Sequence, residues 1–339
     1  MKLQIEKCLS GSNLTVEESS SALDMILTGQ ATDAQIGGLL VALRAKGETV
    51  DELVGFAQIL RERGVQLKIE DEDAIDMCGT GGDGLGTFNI STVSSFVVAG
   101  AGVTVAKHGN RSVTSKSGSA DVLTALGVNV QCDAQIVQDC INRIGIGFLF
   151  APLFHPAMKH VAKPRMEIGV RSIFNMLGPL INPAGVRRQL IGTYHPIAMQ
   201  LLAGALRELG AVKACIVHSD DGMDEVTLSG RTGILELNGF ALFAYKVQPT
   251  DFGLPTHTLD SIQGGDNEAN AAIALSVLRG DAGPARDVVV ANAAMGLYVA
   301  GKAATLPEGK DMAIESIDSG RAMDKLQQLI AMTAVYEHS

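Results

Sequence analysis

The stretch CGTGGDGLGTFNIST, residues 78–92, decides the fold class. It follows AIDMC at 74–78, a short apolar segment with the character of a buried strand, and it leads into an apolar helical segment near Val93. Five of the eight residues from Gly79 to Gly86 are glycine, so backbone amides can approach an anion closely, and the helix start adds a partial positive charge. The stretch therefore predicts an α/β unit with a phosphate site. The alternative is a surface turn, since neither the Walker nor the dinucleotide spacing is present.

Short β-prone segments alternate with helical segments from about residue 74 onward. After 74–78 they are VTVA at 103–106, VNV at 128–130, GFLF at 147–150 and ACIVH at 214–218. Such alternation predicts a mostly parallel central sheet. Helices are expected again at roughly 268–280, 284–300 and 311–333.

The first 64 residues carry three helix-start signals, in each of which a Thr is followed three residues later by Glu or Gln. These capping boxes are Thr15 to Glu18, Thr32 to Gln35 and Thr49 to Glu52, and the helices are predicted to stop at Gly29, Gly47 and Gly64. We expect a small helical domain over 1–70, onto which an amphipathic segment at 163–188 packs. An α/β domain over 71–162 and 189–339 makes up the rest.

A second loop, KHGNRSVTS at 107–115, follows the strand at 103–106 and leads into a helix at Asp121. Its two cations and its hydroxyl groups indicate a second anion site. Ligands of α/β sheets bind beyond the carboxyl ends of the strands, so both loops are expected to face one cleft and to suit a diphosphorylated ligand. The alternative is a basic loop exposed to solvent.

A third loop, DDGMDE at 220–225, follows the strand at 214–218. Adjacent carboxylates repel one another unless a cation lies between them, and magnesium binds a few carboxylates together with phosphate oxygens. Asp224 and Glu225 are therefore candidate magnesium ligands. An acidic turn in contact with solvent is the alternative.

Composition and charge narrow the classes of function. The net charge of −10 argues against a general affinity for nucleic acid, and 4% aromatic residues without tryptophan do not favour a platform for stacking bases. The five cysteines form no disulfide or zinc pattern. Neither a secretory signal nor an apolar run long enough for a membrane helix is found, so a cytoplasmic protein without a membrane partner is expected.

Five motifs in order make the chain resemble the anthranilate phosphoribosyltransferase family of tryptophan biosynthesis over essentially its whole length. They are GTGGDGLGTFNIST at 79–92, KHGNRSVTSKSGSADVLTALG at 107–127, FAPLFHPAMK at 150–159, Arg165 with RSIFNMLGPLINPA at 171–184, and DGMDE at 221–225.

The resemblance implies a set of site residues. For phosphoribosyl pyrophosphate they are Gly79, Gly82, Asp83, Thr87, Asn89, Ile90, Ser91, Thr92, Lys107, His108, Gly109, Asn110, Arg111, Ser112, Val113, Thr114, Ser115 and Ser119. For anthranilate they are Gly79, Asn110 and Arg165, with His108, His155 and Pro179 lining its approach. For Mg²⁺, the implied cofactor, they are Ser91, Asp224 and Glu225.

The resemblance also implies architecture and activity. We expect a fold like that of the nucleoside phosphorylases and phosphoribosyltransferases, and a homodimer formed through the helical domain. The implied reaction joins phosphoribosyl pyrophosphate to the amine of anthranilate, the second step of tryptophan biosynthesis from chorismate. The alternatives are a pyrimidine nucleoside phosphorylase, which has no use for the carboxylates at 224–225, and a non-catalytic relative that binds nucleic acid.

Overall fold

A bundle of helices begins the chain. In this computed structural model, which describes residues 1–112 and 117–334, the bundle consists of α1 (Lys2–Leu9), α2 (Val16–Leu27), α3 (Asp33–Lys46) and α4 (Val50–Arg63). The three predicted capping boxes are confirmed, because α2, α3 and α4 each begin after the expected Thr with both reciprocal hydrogen bonds formed. The α1 helix was missed, since its first turn carries no side-chain cap.

A seven-stranded sheet forms the centre of the larger part of the molecule. Its strands are β1 (Ile75–Gly79), β2 (Val105–Gly109), β3 (Ile146–Phe150), β4 (Arg188–Gly192), β5 (Lys213–Ser219), β6 (Thr232–Asn238) and β7 (Ala241–Val247). In the order β3-β2-β1-β4-β5-β6-β7, the first five strands are parallel, and β6 is antiparallel to both of its neighbours, β5 and β7. The predicted mostly parallel sheet is confirmed.

Eleven further helices follow the bundle in the described residues. They are α5 (Ile90–Gly100), α6 (Ser119–Ala125), α7 (Ala134–Ile144), α8 (Ala151–Phe154), α9 (Lys159–Ile168), α10 (Phe174–Leu177), α11 (Pro196–Glu208), α12 (Asn267–Arg279), α13 (Pro284–Val299), α14 (Leu306–Asp318) and α15 (Arg321–Ala334). Helices α9 and α10 pack on the bundle, and others cover the two faces of the sheet. No helix in the described ranges has the length and apolar character needed to cross a membrane.

Two predictions of individual elements are wrong. The VNV segment at 128–130 is a turn between α6 and α7. Its two valines are buried, so their apolar character reports packing and not a strand. The single helix predicted at 311–333 is two helices, α14 and α15, separated at Gly320, whose φ of 80° cannot continue a right-handed helix.

The segment 163–188 lies against the bundle. Phe174 of α10 packs on Phe56 of α4, with ring centroids 5.8 Å apart. The Nε of Arg61 donates a 2.6 Å hydrogen bond to the carbonyl oxygen of Leu180. The same hydrophobic cluster continues through α11 onto one face of β4, β5 and β6, while a second cluster fills the opposite face. The bundle is therefore joined through α11 to one face of the sheet.

Candidate active site

The glycine loop connects β1 to α5 and lies at the carboxyl end of the sheet. Gly82, at φ 81°, directs its carbonyl oxygen to the Nη2 of Arg171, whose guanidinium carbon lies 3.9 Å from the centroid of the Tyr194 ring. A Cβ on Gly79 would lie 3.2 Å from Oδ2 of Asp224. Glycine at 79 thus lets the glycine loop approach the acidic loop closely.

The carboxylates of Asp83, Asp224 and Glu225 lie close together where these loops meet. Asp224 is half-buried, and desolvation together with Asp83 raises its pKa to about 7. Desolvation and then Asp224 raise the pKa of Glu225 to about 8, although Lys107 opposes this shift. Oε1 of Glu225 accepts a 3.0 Å hydrogen bond from the backbone N–H of Ser91. A cation at this point would relieve the repulsion among the three carboxylates.

Lys107 lies beneath the carboxylates and is 4% exposed. Its ammonium donates to the carbonyl oxygen of Met77 and, at 3.3 Å, to Oγ of Ser91. Burial lowers its pKa, and the nearby Asp76 opposes that shift. Lys107 therefore brings positive charge to the floor of the site.

Asp76 is fully buried and fixes the backbone of the second loop. It accepts hydrogen bonds from the backbone N–H of His108 at 3.1 Å and from Nδ2 of Asn182 at 2.8 Å. Burial raises the pKa of the neighbouring Cys78 thiol well above its usual value, with Asp76 contributing to the rise. Cys78 is therefore held as the thiol and is poorly suited to be a nucleophile.

The second loop is organised by the start of α6. Oδ2 of Asp121 accepts 3.0 Å hydrogen bonds from the backbone N–H groups of Ser112 and Gly118, and its Oδ1 pairs with Arg111 at 3.0 Å. Oγ of Ser119 donates to the carbonyl oxygen of Asn110 at 3.2 Å. This network folds the described part of the loop into a compact turn. Val113, Thr114 and Ser115 lie outside the described residues.

The remaining predicted positions in the two loops differ in what they offer a ligand. Oγ1 of Thr92 is buried and has no hydrogen-bond partner among the described residues. Ile90 is a core side chain, 1% exposed, so only its backbone can face a ligand. Gly109 has no room for a side chain, because a Cβ there would lie 2.3 Å from Oγ of Ser119. Thr87 pairs with Gln263 in an isolated antiparallel bridge.

Two buried histidines adjoin the turn at 178–181. Nδ1 of His108 lies 3.1 Å from the carbonyl oxygen of Gly178, and Nε2 of His155 lies 3.0 Å from that of Ile181. A ring nitrogen facing a carbonyl oxygen must carry the proton, so Nε2 of His108 keeps its lone pair. Burial, with His155 as a second cause, lowers the pKa of His108 to about 3. Both rings, 5.4 Å apart between centroids, are neutral at physiological pH.

Two more of the predicted anthranilate residues, Pro179 and Arg165, lie in this turn and on α9; Gly79 and Asn110 lie at the ends of β1 and β2. Pro179 is buried, and its carbonyl oxygen accepts a 2.7 Å hydrogen bond from Nε2 of Gln189. Arg165, half-buried on α9, has its guanidinium carbon 5.2 Å from the centroid of the Phe174 ring. No carboxylate of residues 1–112 or 117–334 forms an ion pair with Arg165. Its charge is therefore available to an anionic ligand.

The residues predicted to hold magnesium fit a metal that also binds substrate oxygens. The described residues contain no group of three or more His, Cys, Asp and Glu side chains that could hold a metal ion by themselves. Oδ2 of Asp83 is buried without a hydrogen-bond partner among them, next to the carboxylate of Asp224. Magnesium keeps few protein carboxylates and completes its shell with phosphate oxygens and water. Ser91, Asp224 and Glu225 fit that mode of binding.

Sequence reasoning missed several residues that shape this site. Asp76 and Asn182 support the second loop, Arg171 and Tyr194 hold the glycine loop, and Gly192 lies where a Cβ would be 1.6 Å from the carbonyl oxygen of Asp224. A charged Asp76 inside an apolar strand and an Arg171 at the start of the apolar segment 171–184 were the available signals. Neither signal identifies the residue that the side chain contacts, because those contacts form only in the folded chain.

Comparison with known proteins places the chain in a family. The bundle and sheet match the two domains of one class: the glycosyl transferase family, helical bundle domain, matches residues 4–64, and the glycosyl transferase family, a/b domain, matches residues 71–323. Anthranilate phosphoribosyltransferase of Moorella thermoacetica is 51% identical over 331 residues, 98% of each chain.

Solved structures agree with the sequence matches. Anthranilate phosphoribosyltransferase of Thermus thermophilus has a TM-score of 0.92 at 40% identity, covering 97% of this chain and 99% of that one. The Saccharomyces cerevisiae protein, solved in complex with phosphoribosyl pyrophosphate and Mg, has a TM-score of 0.90 at 28% identity, covering 98% and 97%. The chain therefore belongs to the anthranilate phosphoribosyltransferase family.

Proposed function

We propose that this protein transfers the phosphoribosyl group of phosphoribosyl pyrophosphate to the amine of anthranilate, in the presence of Mg²⁺, as the second step of tryptophan biosynthesis from chorismate. The observation that carries the proposal is the meeting of the glycine loop, the second loop and the acidic loop above Lys107. The family matches favour this reaction over a pyrimidine nucleoside phosphorylase or a nucleic-acid-binding relative.

The leaving pyrophosphate is the centre of charge in this reaction. Asp224, Glu225 and Ser91 would hold magnesium, which when bound neutralises charge on the pyrophosphate oxygens. Lys107, held on the floor by Met77 and Ser91, stabilises the same oxygens as the bond to the ribose breaks. The amides of the glycine loop and the start of α5 bind phosphate groups and keep the ribose in line.

Anthranilate is assigned to the side of Arg165 and the two histidines. The guanidinium of Arg165 pairs with the carboxylate of anthranilate. His108 is neutral, and its buried Nε2 has no hydrogen-bond partner among the described residues; the amine needs no strong base because it is uncharged before attack. Since Arg165 lies on the segment that packs against the bundle, we infer that anthranilate binds between the bundle and the sheet.

The proposal is tested with the fluorescence of anthranilate. Purified protein is mixed with anthranilate and phosphoribosyl pyrophosphate, with Mg²⁺ or with a chelator. We expect a loss of signal that needs all three components. A folded protein that leaves the signal unchanged under every condition would contradict the proposed reaction.

Arg165→Ala separates the two substrates. It should raise the KM of anthranilate at least about tenfold, the loss expected for a charge-assisted hydrogen bond, and change the KM of phosphoribosyl pyrophosphate little. Arg143→Ala, which removes an exposed arginine from the last turn of α7, is the control. An unchanged anthranilate KM in Arg165→Ala would refute its role.

We also infer a cytoplasmic homodimer with a helical domain over 1–70, onto which 163–188 packs, and an α/β domain over 71–162 and 189–339. Exposed apolar side chains on the bundle support the dimer: Leu3 is 78% exposed, Leu9 71% and Val41 47%. Light scattering tests it, since Leu3→Lys with Val41→Lys should convert a dimer to a monomer. A wild-type monomer at micromolar concentration would contradict it.

A further inference from the structure

Asn89 occupies the N-cap position of α5 without capping the helix. An N-cap asparagine ordinarily accepts a hydrogen bond from an amide in the first turn, and Asn89 makes no such bond. Its Nδ2 donates to the carbonyl oxygen of Ser117, two residues beyond the second loop, at 3.2 Å, and its Oδ1 accepts from Nδ2 of Asn270 at 3.2 Å. Both ends of this side chain are therefore used to join distant segments.

Asn270 lies in the first turn of α12 and is 3% exposed. While its Nδ2 reaches Asn89, its Oδ1 accepts a 2.8 Å hydrogen bond from the backbone N–H of Gly265. The polarity of the amide is fixed, because its oxygen faces a donor and its nitrogen faces an acceptor. One buried side chain therefore connects α12, the segment before it and the start of α5.

The segment before α12, residues 263–265, lies directly on the glycine loop. The backbone N–H of Gly264 donates to the carbonyl oxygen of Gly86 at 2.8 Å, and Gln263 bridges to Thr87. A Cβ on Gly264 would come within 2.8 Å of the backbone nitrogen of Phe88, so the two chains are in close contact. Anything that moves this segment moves the glycine loop.

We propose that Asn270 is a positioning residue for phosphoribosyl pyrophosphate, which sets the spacing between the two phosphate-binding loops without touching the substrate. The proposal rests on the proposed function. It follows from the unbroken series Gly265, Asn270, Asn89 and Ser117, which begins at the segment lying on the glycine loop and ends two residues beyond the second loop. The next residue, Gly118, shares the carboxylate of Asp121 with Ser112 of that loop. A ligand with phosphate groups at both ends binds tightly only if the two loops keep a fixed separation.

Two variants break this series in different ways. Asn270→Ala removes both of its side-chain hydrogen bonds. Asn270→Asp keeps the size and the acceptor for Gly265 but replaces the donor that reaches Asn89, and it remains informative if the alanine variant does not fold. Ser316→Ala is the control, because it removes a buried hydrogen bond, 2.8 Å to the carbonyl oxygen of Val97, at the far end of α5.

Calorimetric titration with phosphoribosyl pyrophosphate and Mg²⁺ gives the primary readout, followed by KM for each substrate. We expect Asn270→Asp to weaken phosphoribosyl pyrophosphate binding about tenfold, as for one misplaced buried hydrogen bond, with the anthranilate KM changed less than about twofold. Ser316→Ala should lower Tm and leave both constants unchanged. The double variant with Asn89→Ala and Asn270→Ala should bind phosphoribosyl pyrophosphate little more weakly than Asn89→Ala alone, because the two residues act in one series.

Three results would overturn the inference. They are equal changes in both substrate constants, a fall in Tm alone as in the control, and additive effects in the double variant. The titration contains no anthranilate, so it does not depend on the transfer reaction. A protein that binds phosphoribosyl pyrophosphate but transfers nothing would contradict the proposed function, and the binding data would still test the role of Asn270. A wild type that does not bind phosphoribosyl pyrophosphate would overturn both.

Discussion

Asp224→Asn should stabilise the metal-free protein at high pH while removing most of its response to magnesium. The pKa of Asp224 rises from 3.8 to about 7 on folding. The folded state therefore holds a proton that the unfolded state has lost between these values, and stability falls as the pH rises toward 7. Between pH 5.0 and pH 8.5, about two pH units lie below the folded pKa of about 7. At roughly 1.4 kcal/mol per unit, Asp224 can lower the free energy of unfolding by at most about 3 kcal/mol over this range.

Solvent contact at the half-buried Asp224 reduces this maximum effect. We therefore expect the unfolding free energy of Asp224→Asn, relative to that of the wild type, to rise by about 1.5 kcal/mol from pH 5.0 to pH 8.5. This corresponds to a relative rise in Tm of roughly 2–3 °C for a chain of this size. Thermal melts with a chelator measure it, with Glu72→Gln, the loss of an exposed carboxylate, as the control. A Tm difference that does not change with pH would refute the desolvation argument, and an unaltered magnesium titration of activity would refute ligation.

Three further predictions concern other parts of the molecule. Lys46→Met leaves Glu52 buried without its 3.0 Å ion-pair partner, so the free energy of unfolding, measured with urea, should fall by about 3 kcal/mol. In Gly192→Ala the new Cβ would lie 1.6 Å from the carbonyl oxygen of Asp224, so the acidic loop must shift. A small misplacement near reacting groups typically costs about a hundredfold in rate, and a steady-state assay should show at least that loss of magnesium-dependent activity. Because the pKa of His108 falls to about 3 on folding, this side chain destabilises the folded state as the pH drops below 6.5; relative to His108→Gln, the wild type should lose about 2 kcal/mol of unfolding free energy between pH 7 and pH 5, as measured by melts of the two proteins.

Local signals in the sequence predicted the start of the fold well. The capping boxes at Thr15, Thr32 and Thr49 act within four residues, so they can be recognised without knowledge of distant contacts. The strand β4 was missed because its first residues, Arg188 and Gln189, are polar, and they are accommodated by Asp73 and the carbonyl oxygen of Pro179. Those partners are visible only when the chain has folded.

The candidate site shows the same division between local and distant information. Glycine spacing and hydroxyl groups indicated an anion loop because their chemistry lies in neighbouring residues. Glu52 was read only as part of a capping box, yet it is a buried carboxylate that also binds Lys46 and the backbone N–H of Leu14. Asn270 gave no signal at all, since its role depends on a contact 181 residues away.

That separation has a consequence for how the protein acquires its site during synthesis. Ser91 meets Glu225 across 134 residues, and Asn89 meets Asn270 across 181. Contacts between residues so far apart form late, because the entropy of closing a long loop must be overcome first. The helical bundle can form early from its own local signals, whereas the glycine loop waits for α12 to leave the ribosome. We therefore expect the ability to bind substrate to be among the last properties to appear as the nascent chain folds.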